Sequence, residues 1–271
     1  MTLIAGILCS DGVVVASDSF ATYAEGAMPT IGQQQVTKVR KLGNSVIYAS
    51  TGAIGVAQII ATLLGRMEAA NSFAGPAIVN DPTPSTVAMT MISFQIAEQV
   101  RPIIQSAAAM ASLVGAQAAG ATAVVKSIVA VAVAGRPCLF QFDSSGAPEE
   151  ATSELPFIAL GSGQAIADPF LALLKRILWT NRAPTVAEGR FVAAWTITHV
   201  SKTNFGGVGL PPQIASLTIQ NGNPVVAFAD AGEHEQAVTA AEAALREHLE
   251  KQARPVVAAA DAPAPPEPPA P

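Results

Sequence analysis

The chain has 271 residues with 20 acidic and 15 basic side chains, a formal net charge of −5 and only 13% charged residues. Without a basic excess there is no cationic surface for phosphates, which argues against nucleic-acid binding. Half of the residues are hydrophobic, but the uncharged stretches 42–65 and 102–125 are too broken or too rich in Ala, Ser, Gln and Gly for a bilayer span. We therefore expect a cytoplasmic protein with no membrane segment or secretory signal, whose apolar surface is buried between subunits.

Two hairpins are predicted near the N-terminus. Residues 2–9 and 13–17 are strand-like runs on either side of a Ser-Asp-Gly turn, which is a strong hairpin signal. Residues 36–42 and 46–51 form the second hairpin around Gly43-Asn44. The segment 23–35 between them is interpreted as a loop.

Groups of strands and pairs of helices follow along the chain. Helices are predicted over 54–69, 82–109, 164–178 and 187–200, and strands over 127–134, 137–142, 157–160, 214–219 and 224–229. A doubly wound parallel sheet would alternate strand and helix singly. The observed order predicts an α+β fold, a four-layer αββα sandwich with antiparallel sheets inside.

The C-terminal part differs in composition from the rest. Residues 1–230 are expected to form one domain and 231–254 a helix, either solvated or partner-binding because its apolar stripe is narrow. Seven of the 17 residues in 255–271 are proline, so we expect a disordered tail there.

Thr2 is the first candidate for chemistry. Met1 precedes a small residue, the context in which the initiator methionine is removed, so the mature chain is expected to begin with threonine. Such a residue offers a hydroxyl nucleophile and an α-amine with a pKa of about 7.7–8.0, which can act as the base.

Three further residues are predicted to converge on Thr2. The first hairpin places Asp18 beside the N-terminus, and Lys38 lies among β-branched residues, where a buried lysine needs a carboxylate. The pair would keep the terminal amine neutral, although each residue alone is also compatible with a turn or a surface position. Gly52 lies between a strand and a helix, where its N–H could stabilise an oxyanion or simply form a turn.

Several segments together resemble the proteasome β-type fold of N-terminal-nucleophile hydrolases, which includes the HslV-type bacterial peptidases. They are the start of the chain through Asp18 to Thr22, Lys38-Val-Arg-Lys-Leu, Ser50-Thr-Gly52, Asp143-Ser-Ser-Gly146 and Gly161-Ser162-Gly163. The similarity covers residues 2–230. The segment from Gly209 to Pro212 resembles the Gly-Pro-Pro of the Anbu-type branch, which indicates a divergent bacterial homologue.

The resemblance implies a role for each matching residue. The implied catalytic residues are Thr2 as nucleophile, Asp18 and Lys38 as charge pair, Gly52 as oxyanion donor and Ser162 as a hydroxyl near the amine. Thr22 would hold the substrate backbone, and the side chain before the scissile bond would enter a small to medium, apolar pocket. The implied pocket residues are Ala21, Val36, Ser50 and Ile54.

One part of the family pattern is missing. An aspartate expected after the fourth helix is replaced by His-Val-Ser-Lys-Thr-Asn at 199–204. Ser201, Thr203 or Asn204 could substitute as the hydrogen-bond partner of Thr2, or the site could be weakened.

The predicted function is therefore a self-compartmentalising threonine peptidase acting on peptides or unfolded proteins. The resemblance implies a homo-oligomeric ring, a double ring, with an ATP-driven unfoldase as a candidate partner. The alternative is a catalytically silent ring scaffold of the same fold. No cofactor is implied.

The sequence gives little support to a metal site or a dinucleotide site. Two cysteines and three scattered histidines show no metal-ligand spacing, so no metal site is expected. A dinucleotide site at Gly161-Ser-Gly163 lacks the third glycine and a βαβ context.

Overall fold

The computed structural model describes residues 2–25, 28–74, 83–114, 124–143, 145–203 and 207–260. Its strands are β1 (Leu3–Cys9), β2 (Gly12–Ser17), β3 (Phe20–Glu25), β4 (Met28–Gln35), β5 (Val39–Leu42), β6 (Val46–Gly52), β7 (Val125–Val133), β8 (Arg136–Asp143), β9 (Pro148–Glu150), β10 (Phe157–Gly161), β11 (Gln213–Gln220) and β12 (Asn223–Phe228). Its helices are α1 (Ile54–Ala69), α2 (Thr83–Val114), α3 (Gln164–Leu178), α4 (Val186–Thr203) and α5 (Ala231–Ala260).

Two five-stranded sheets carry the fold, one in the order β10-β1-β2-β11-β12 and the other in the order β5-β6-β7-β8-β9. All neighbouring strands in both sheets are antiparallel. The predicted α+β class with antiparallel sheets is confirmed at this level.

Three hydrophobic clusters account for the core. The first joins inward residues of both sheets, such as Ile4 and Val15 of one and Ile47 and Ile128 of the other. The second packs the opposite face of the first sheet against α3 and α4. The third packs the opposite face of the second sheet against α1 and α2. Because the central strands are buried on both faces, β1, β2 and β7 are almost continuously apolar rather than alternating.

Strands β1, β2 and β10 together set the position of the N-terminus, and Thr2 lies near Lys38, the residue before β5 of the second sheet. The register pairs Ile4 with Ser17 and Ala5 with Ala16, and Leu3 lies opposite Gly161 on β10. Thr2 therefore enters the sheet between the end of β2 and the end of β10. Its position follows from the Asp-Gly turn, which fixes the register of the hairpin.

The structure contains a short strand, β9, that the sequence did not predict, and it differs from the predictions in two further places. The segment 23–35 is not a loop, because β3 and β4 pair as an antiparallel hairpin.

Helix α5 runs to Ala260, beyond the predicted tail start at Pro255, because a single proline is followed there by a Val and Ala run that is compatible with a helix. The rest of the predicted disordered tail lies outside the described residues. In the part of the chain that is described, no helix is long and apolar enough to cross a bilayer.

Candidate active site

Thr2 is fixed through its own backbone. Its N–H donates to Ser162 Oγ over 3.1 Å, and its carbonyl oxygen accepts from Gly163 N–H over 3.3 Å. Gly161 has φ +103°, and a Cβ there would lie 2.2 Å from the Thr2 carbonyl oxygen. The close approach of β10 to Thr2 therefore requires glycine at this position.

Asp18 lies fully buried just after β2. One carboxylate oxygen accepts from Leu3 N–H at 3.0 Å and from Lys38 Nζ at 2.6 Å. The other accepts from Phe20 N–H at 3.2 Å and from Gly209 N–H at 3.3 Å. A buried charge is tolerated when it is paired and hydrogen-bonded in this way.

Lys38 connects this carboxylate to the candidate nucleophile. Its Nζ donates to Thr2 Oγ1 over 3.0 Å while paired with Asp18, and only 8% of its side chain is exposed. Burial lowers the pKa of Lys38 from 10.5, and the charge and hydrogen bond of Asp18 act in the opposite direction. Because the Thr2 oxygen accepts from Lys38, its own O–H is free to donate to a base.

Gln213 is a supporting residue that sequence reasoning missed. From β11, its Oε1 accepts from the N–H groups of Lys38 at 2.8 Å and Val39 at 3.3 Å, and its Nε2 donates to Val36 O at 2.5 Å. This amide holds the backbone that carries Lys38. Because 175 residues separate Gln213 from Lys38, no local sequence signal could have indicated the contact.

A cavity of about 470 Å³ opens beside Thr2. It is lined by Thr2, Ala21, Val36, Thr37, Lys38, Arg40, Tyr48, Ser50, Thr51, Gly52, Ile54, Ala57 and Gln58. The four residues predicted to line the pocket, Ala21, Val36, Ser50 and Ile54, are therefore brought together. Thr22 lies on β3, but its side chain is outside the described part of the structure, so its predicted role in holding the substrate backbone stays a prediction.

Polar residues that the sequence did not indicate also line the cavity. Arg40, Tyr48 and Gln58 lie there beside the predicted residues, and the apolar character expected for the pocket stays a prediction. Lys38 and Arg40 are two residues apart, so they lie on one face of the extended chain, and Arg40 is paired across the sheet with Tyr48. The two-residue spacing of Lys38 and Arg40 can be read directly from the sequence.

Gly52 lies at the end of β6, two residues before α1 begins. Its φ is +107°, and a Cβ there would lie 2.2 Å from the carbonyl oxygen of Val124. Both observations explain why a glycine stands here. Its place on the cavity wall with Thr2 is compatible with the predicted oxyanion contact, which stays a prediction.

The residues proposed to replace the missing aspartate are engaged elsewhere or lie outside the described residues. Ser201 Oγ donates to Val208 O over 2.9 Å, and Thr203 Oγ1 donates to His199 O within its own helix over 2.8 Å. Asn204 lies outside the described residues. In these hydrogen bonds, the hydroxyls of Ser201 and Thr203 donate to backbone carbonyl oxygens and not to Thr2.

Two alternative kinds of site can also be compared with the structure. Among the described residues, no cluster of three or more His, Cys, Asp or Glu could hold a metal ion. The Gly161–Gly163 segment follows a strand that is antiparallel to β1 and packs on Thr2, so it does not belong to the parallel βαβ unit that a dinucleotide site requires.

Comparisons with known proteins give matches among solved structures. Comparison with protein-family models and with curated proteins finds no match. Anbu (ancestral beta-subunit) from Yersinia bercovieri is similar with a TM-score of 0.61 and 16% identity, covering 98% of this chain and 100% of that chain.

Two structures of Anbu from Hyphomicrobium sp. strain MC1 are also similar, both at 18% identity. A mutant form gives a TM-score of 0.63 over 93% of this chain and 97% of that chain. Another crystal form gives a TM-score of 0.58 over 92% and 97%. At these identities the likeness shows that the chain shares the Anbu fold.

Proposed function

We propose that this protein is an N-terminal-nucleophile hydrolase of the proteasome β type, a four-layer αββα sandwich that cleaves peptide bonds with Thr2. The observation that carries the proposal is the Asp18–Lys38–Thr2 arrangement, in which Lys38 Nζ lies 2.6 Å from the carboxylate and 3.0 Å from the threonine hydroxyl. The shared Anbu fold supports it.

The mechanism requires removal of Met1, which frees the α-amine of Thr2. The amine takes the hydroxyl proton while Oγ1 attacks the peptide carbonyl, and the N–H of Gly52 stabilises the oxyanion. The C–N bond then breaks, the proton passes to the leaving amine, and an ester to Thr2 remains. Water adds to this ester, giving its proton to the α-amine, and the acid product leaves with Thr2 restored.

Lys38 and Asp18 have electrostatic roles in this scheme. The Lys38 ammonium favours the ionised hydroxyl and keeps the nearby amine in its neutral, basic form. Asp18 holds Lys38 in place and compensates its charge. Ser162 Oγ, which lies 3.1 Å from the Thr2 nitrogen, orients that amine.

The proposal includes self-assembly and a cellular location. We expect a homo-oligomeric double ring in the cytoplasm that acts on peptides or unfolded proteins, with an ATP-dependent unfoldase as its supplier of substrate. The charge content of 13% and the exposed apolar side chains of α1 and α2 support subunit contacts, because an isolated domain must solvate such faces.

A silent ring scaffold is the second candidate function. It is favoured by Ser201 and Thr203, the two described candidates for the role of the missing aspartate, because their hydroxyls donate to backbone carbonyl groups of other residues. In this case the fold would persist without turnover.

Hydrolysis of a mixed library of fluorogenic peptides tests the proposal. The wild-type protein, purified without an N-terminal tag, is expected to cleave part of the library, and Thr2→Ala is expected to lose at least about a hundredfold, as removal of a covalent nucleophile should. Thr180→Ala, an exposed threonine distant in sequence from the site, serves as the matched control. A wild-type chain that lacks Met1 and cleaves nothing would favour the scaffold.

A further inference from the structure

The cavity beside Thr2 has a polar wall formed by alternate residues of two strands. Arg40 of β5 lies opposite Tyr48 of β6, and Ser50 of β6 lies opposite Ser127 of β7. Since directly paired residues point to the same face of a sheet, Arg40, Tyr48 and Ser50 present their polar atoms together. Arg40, Tyr48 and Ser50 line the cavity, and Ser127 is buried within hydrogen-bond distance of Tyr48.

The charges of this wall do not cancel. Lys38 is neutralised by Asp18 at 2.6 Å, whereas none of the salt bridges formed among the described residues involves Arg40. The remaining cavity-lining residues are uncharged. The described part of the cavity therefore carries one uncompensated positive charge, on a guanidinium that favours planar, bidentate contact with a carboxylate.

Tyr48 lies in the same cavity wall as Arg40. Its side chain is 2% exposed and its hydroxyl lies 3.2 Å from Ser127 Oγ. Burial raises the pKa of Tyr48, while the hydroxyls of Ser127 and Ser50 and the charge of Arg40 act in the opposite direction. The hydroxyl consequently stays protonated at neutral pH, and when Ser127 donates to it, the Tyr48 O–H can donate to an anionic ligand.

We propose that this cavity selects peptides with a glutamate or aspartate side chain immediately before the scissile bond. The inference rests on the proposed function, because it assumes that Thr2 attacks the carbonyl of the residue whose side chain enters the cavity. A carboxylate there meets the Arg40 guanidinium, whereas a basic side chain is repelled. An aliphatic side chain makes no charge-assisted contact with the guanidinium, so it is expected to bind more weakly than a carboxylate.

Equilibrium binding to the Thr2→Ala variant tests the inference without turnover. The probes are acetyl-Ala-Ala-Glu-Ala-amide and the same peptide with Gln or Leu in place of Glu, measured by isothermal titration calorimetry. We expect the Glu peptide to bind about tenfold more tightly than the Gln peptide, the gain typical of one charge-assisted contact. The preference should shrink as salt is raised from 0.05 to 0.5 M in the assay, because the site is open to solvent.

Two second-site variants identify the charge responsible. Adding Arg40→Met is expected to remove the Glu preference, while Lys41→Met, which makes the same charge change at a neighbouring exposed residue that does not line the cavity, should retain it. Equal binding of all three peptides, no binding of any, or a Glu preference that survives Arg40→Met would overturn the inference.

Cleavage by the wild-type protein separates this inference from the proposed function. If both are correct, product mass spectrometry places Glu or Asp at the new C-terminus of the acyl fragment. Cleavage after Leu with no acidic preference would overturn the inference and leave the peptidase proposal standing. Selective binding of the Glu peptide with no cleavage would support a cavity that selects acidic side chains and would contradict the peptidase proposal.

Discussion

The Asp18 carboxylate connects three separate parts of the chain at the scale of single residues. It accepts backbone N–H groups of Leu3, Phe20 and Gly209 in addition to the Lys38 ammonium. The same four contacts position the nucleophile, the cation and the segment after α4. A change at Asp18 should therefore affect folding and chemistry together.

A double-mutant cycle measures the Asp18–Lys38 contact. Lys38→Met leaves a fully buried carboxylate without its cation, and we expect the free energy of unfolding in urea to fall by about 3 kcal/mol. The Asp18→Asn/Lys38→Met variant should lose less than the sum of the two single variants, by about 1–3 kcal/mol. Losses that add to within about 0.5 kcal/mol would show that the two side chains are not coupled.

At this scale the sequence predicted the residues near Thr2 better than their surroundings. Asp18, Lys38 and Ser162 could be placed because short hairpins and one family resemblance bring them to the N-terminus. Arg40, Tyr48 and Gln58 were not predicted to line the cavity, although the spacing of Lys38 and Arg40 places both on one side of an extended segment. Gln213 could not be predicted, because its contact depends on how β11 pairs with β2.

Among the secondary-structure elements, the contact between β1 and β10 sets the position of Thr2. Leu3 pairs with Gly161, and the next residue, Ser162, contacts the Thr2 nitrogen. Helix α3 begins at Gln164 directly afterwards. The strand end and the helix start thus form one side of the site.

Gly161→Ala tests this strand contact. A Cβ there would lie 2.2 Å from the Thr2 carbonyl oxygen in a backbone with φ +103°, so we expect a loss of more than about 2 kcal/mol in stability, from strain plus the clash, and a lower rate of Thr2 acylation. Gly135→Ala is the control, since Gly135 has φ +77° but open space around it, and strain alone should cost about 1 kcal/mol. Equal losses of stability and unchanged acylation would contradict the close packing of β10 on Thr2.

The packing of α3 on α4 gives a pH-dependent prediction. The His199 ring stacks on Phe170 with centroids 4.3 Å apart, and burial lowers its pKa from 6.5, aided by Lys202 and opposed by Glu242. As the pH falls below 6.5, His199 becomes protonated more readily in the unfolded chain than in the native chain. The free energy of unfolding therefore falls as the pH drops through this window.

Thermal unfolding from pH 7.5 to 5.5 checks this effect. The wild-type Tm should fall with decreasing pH, and the fall should be smaller in His199→Gln. His248→Gln, on the exposed face of α5, should keep the full wild-type dependence. If His199→Gln and the wild type lose Tm in parallel, His199 is not the residue responsible.

Element types were largely predictable, whereas one hairpin was not. The bounds of α1 and α3 match the predictions because apolar periodicity and flanking glycines mark them. The segment 23–35 was predicted to be a loop, and it contains two glycines and a proline, which are unfavourable in strands. Pairing between the two strands outweighed these local signals.

At the scale of the whole molecule, the low charge content corresponds to apolar surface on α1 and α2. Large apolar side chains are exposed there, notably Val87 at 58% and Phe94 at 65%, which are seven residues apart on one face of α2. The composition predicted buried surface between subunits, but which face would carry it could not be read from the sequence, because this depends on the side of α2 that packs on the sheet.

Sedimentation velocity of Phe94→Glu tests this face as a subunit contact. A buried carboxylate at an apolar interface is unfavourable, so we expect the assembly to dissociate into smaller species. Leu249→Glu, at a similarly exposed leucine on α5, should leave the sedimentation coefficient of the assembly unchanged. A monomeric wild type, or a Phe94→Glu assembly of wild-type size, would contradict the assignment.

Intact-mass analysis after treatment with a peptide epoxyketone tests the central claim, that Thr2 is an exposed N-terminal nucleophile. We expect a chain that lacks Met1 and carries one inhibitor adduct, with no adduct on Thr2→Ala. A chain that retains Met1 and carries no adduct would contradict it, because the α-amine would then be blocked in an amide and could not act as the base.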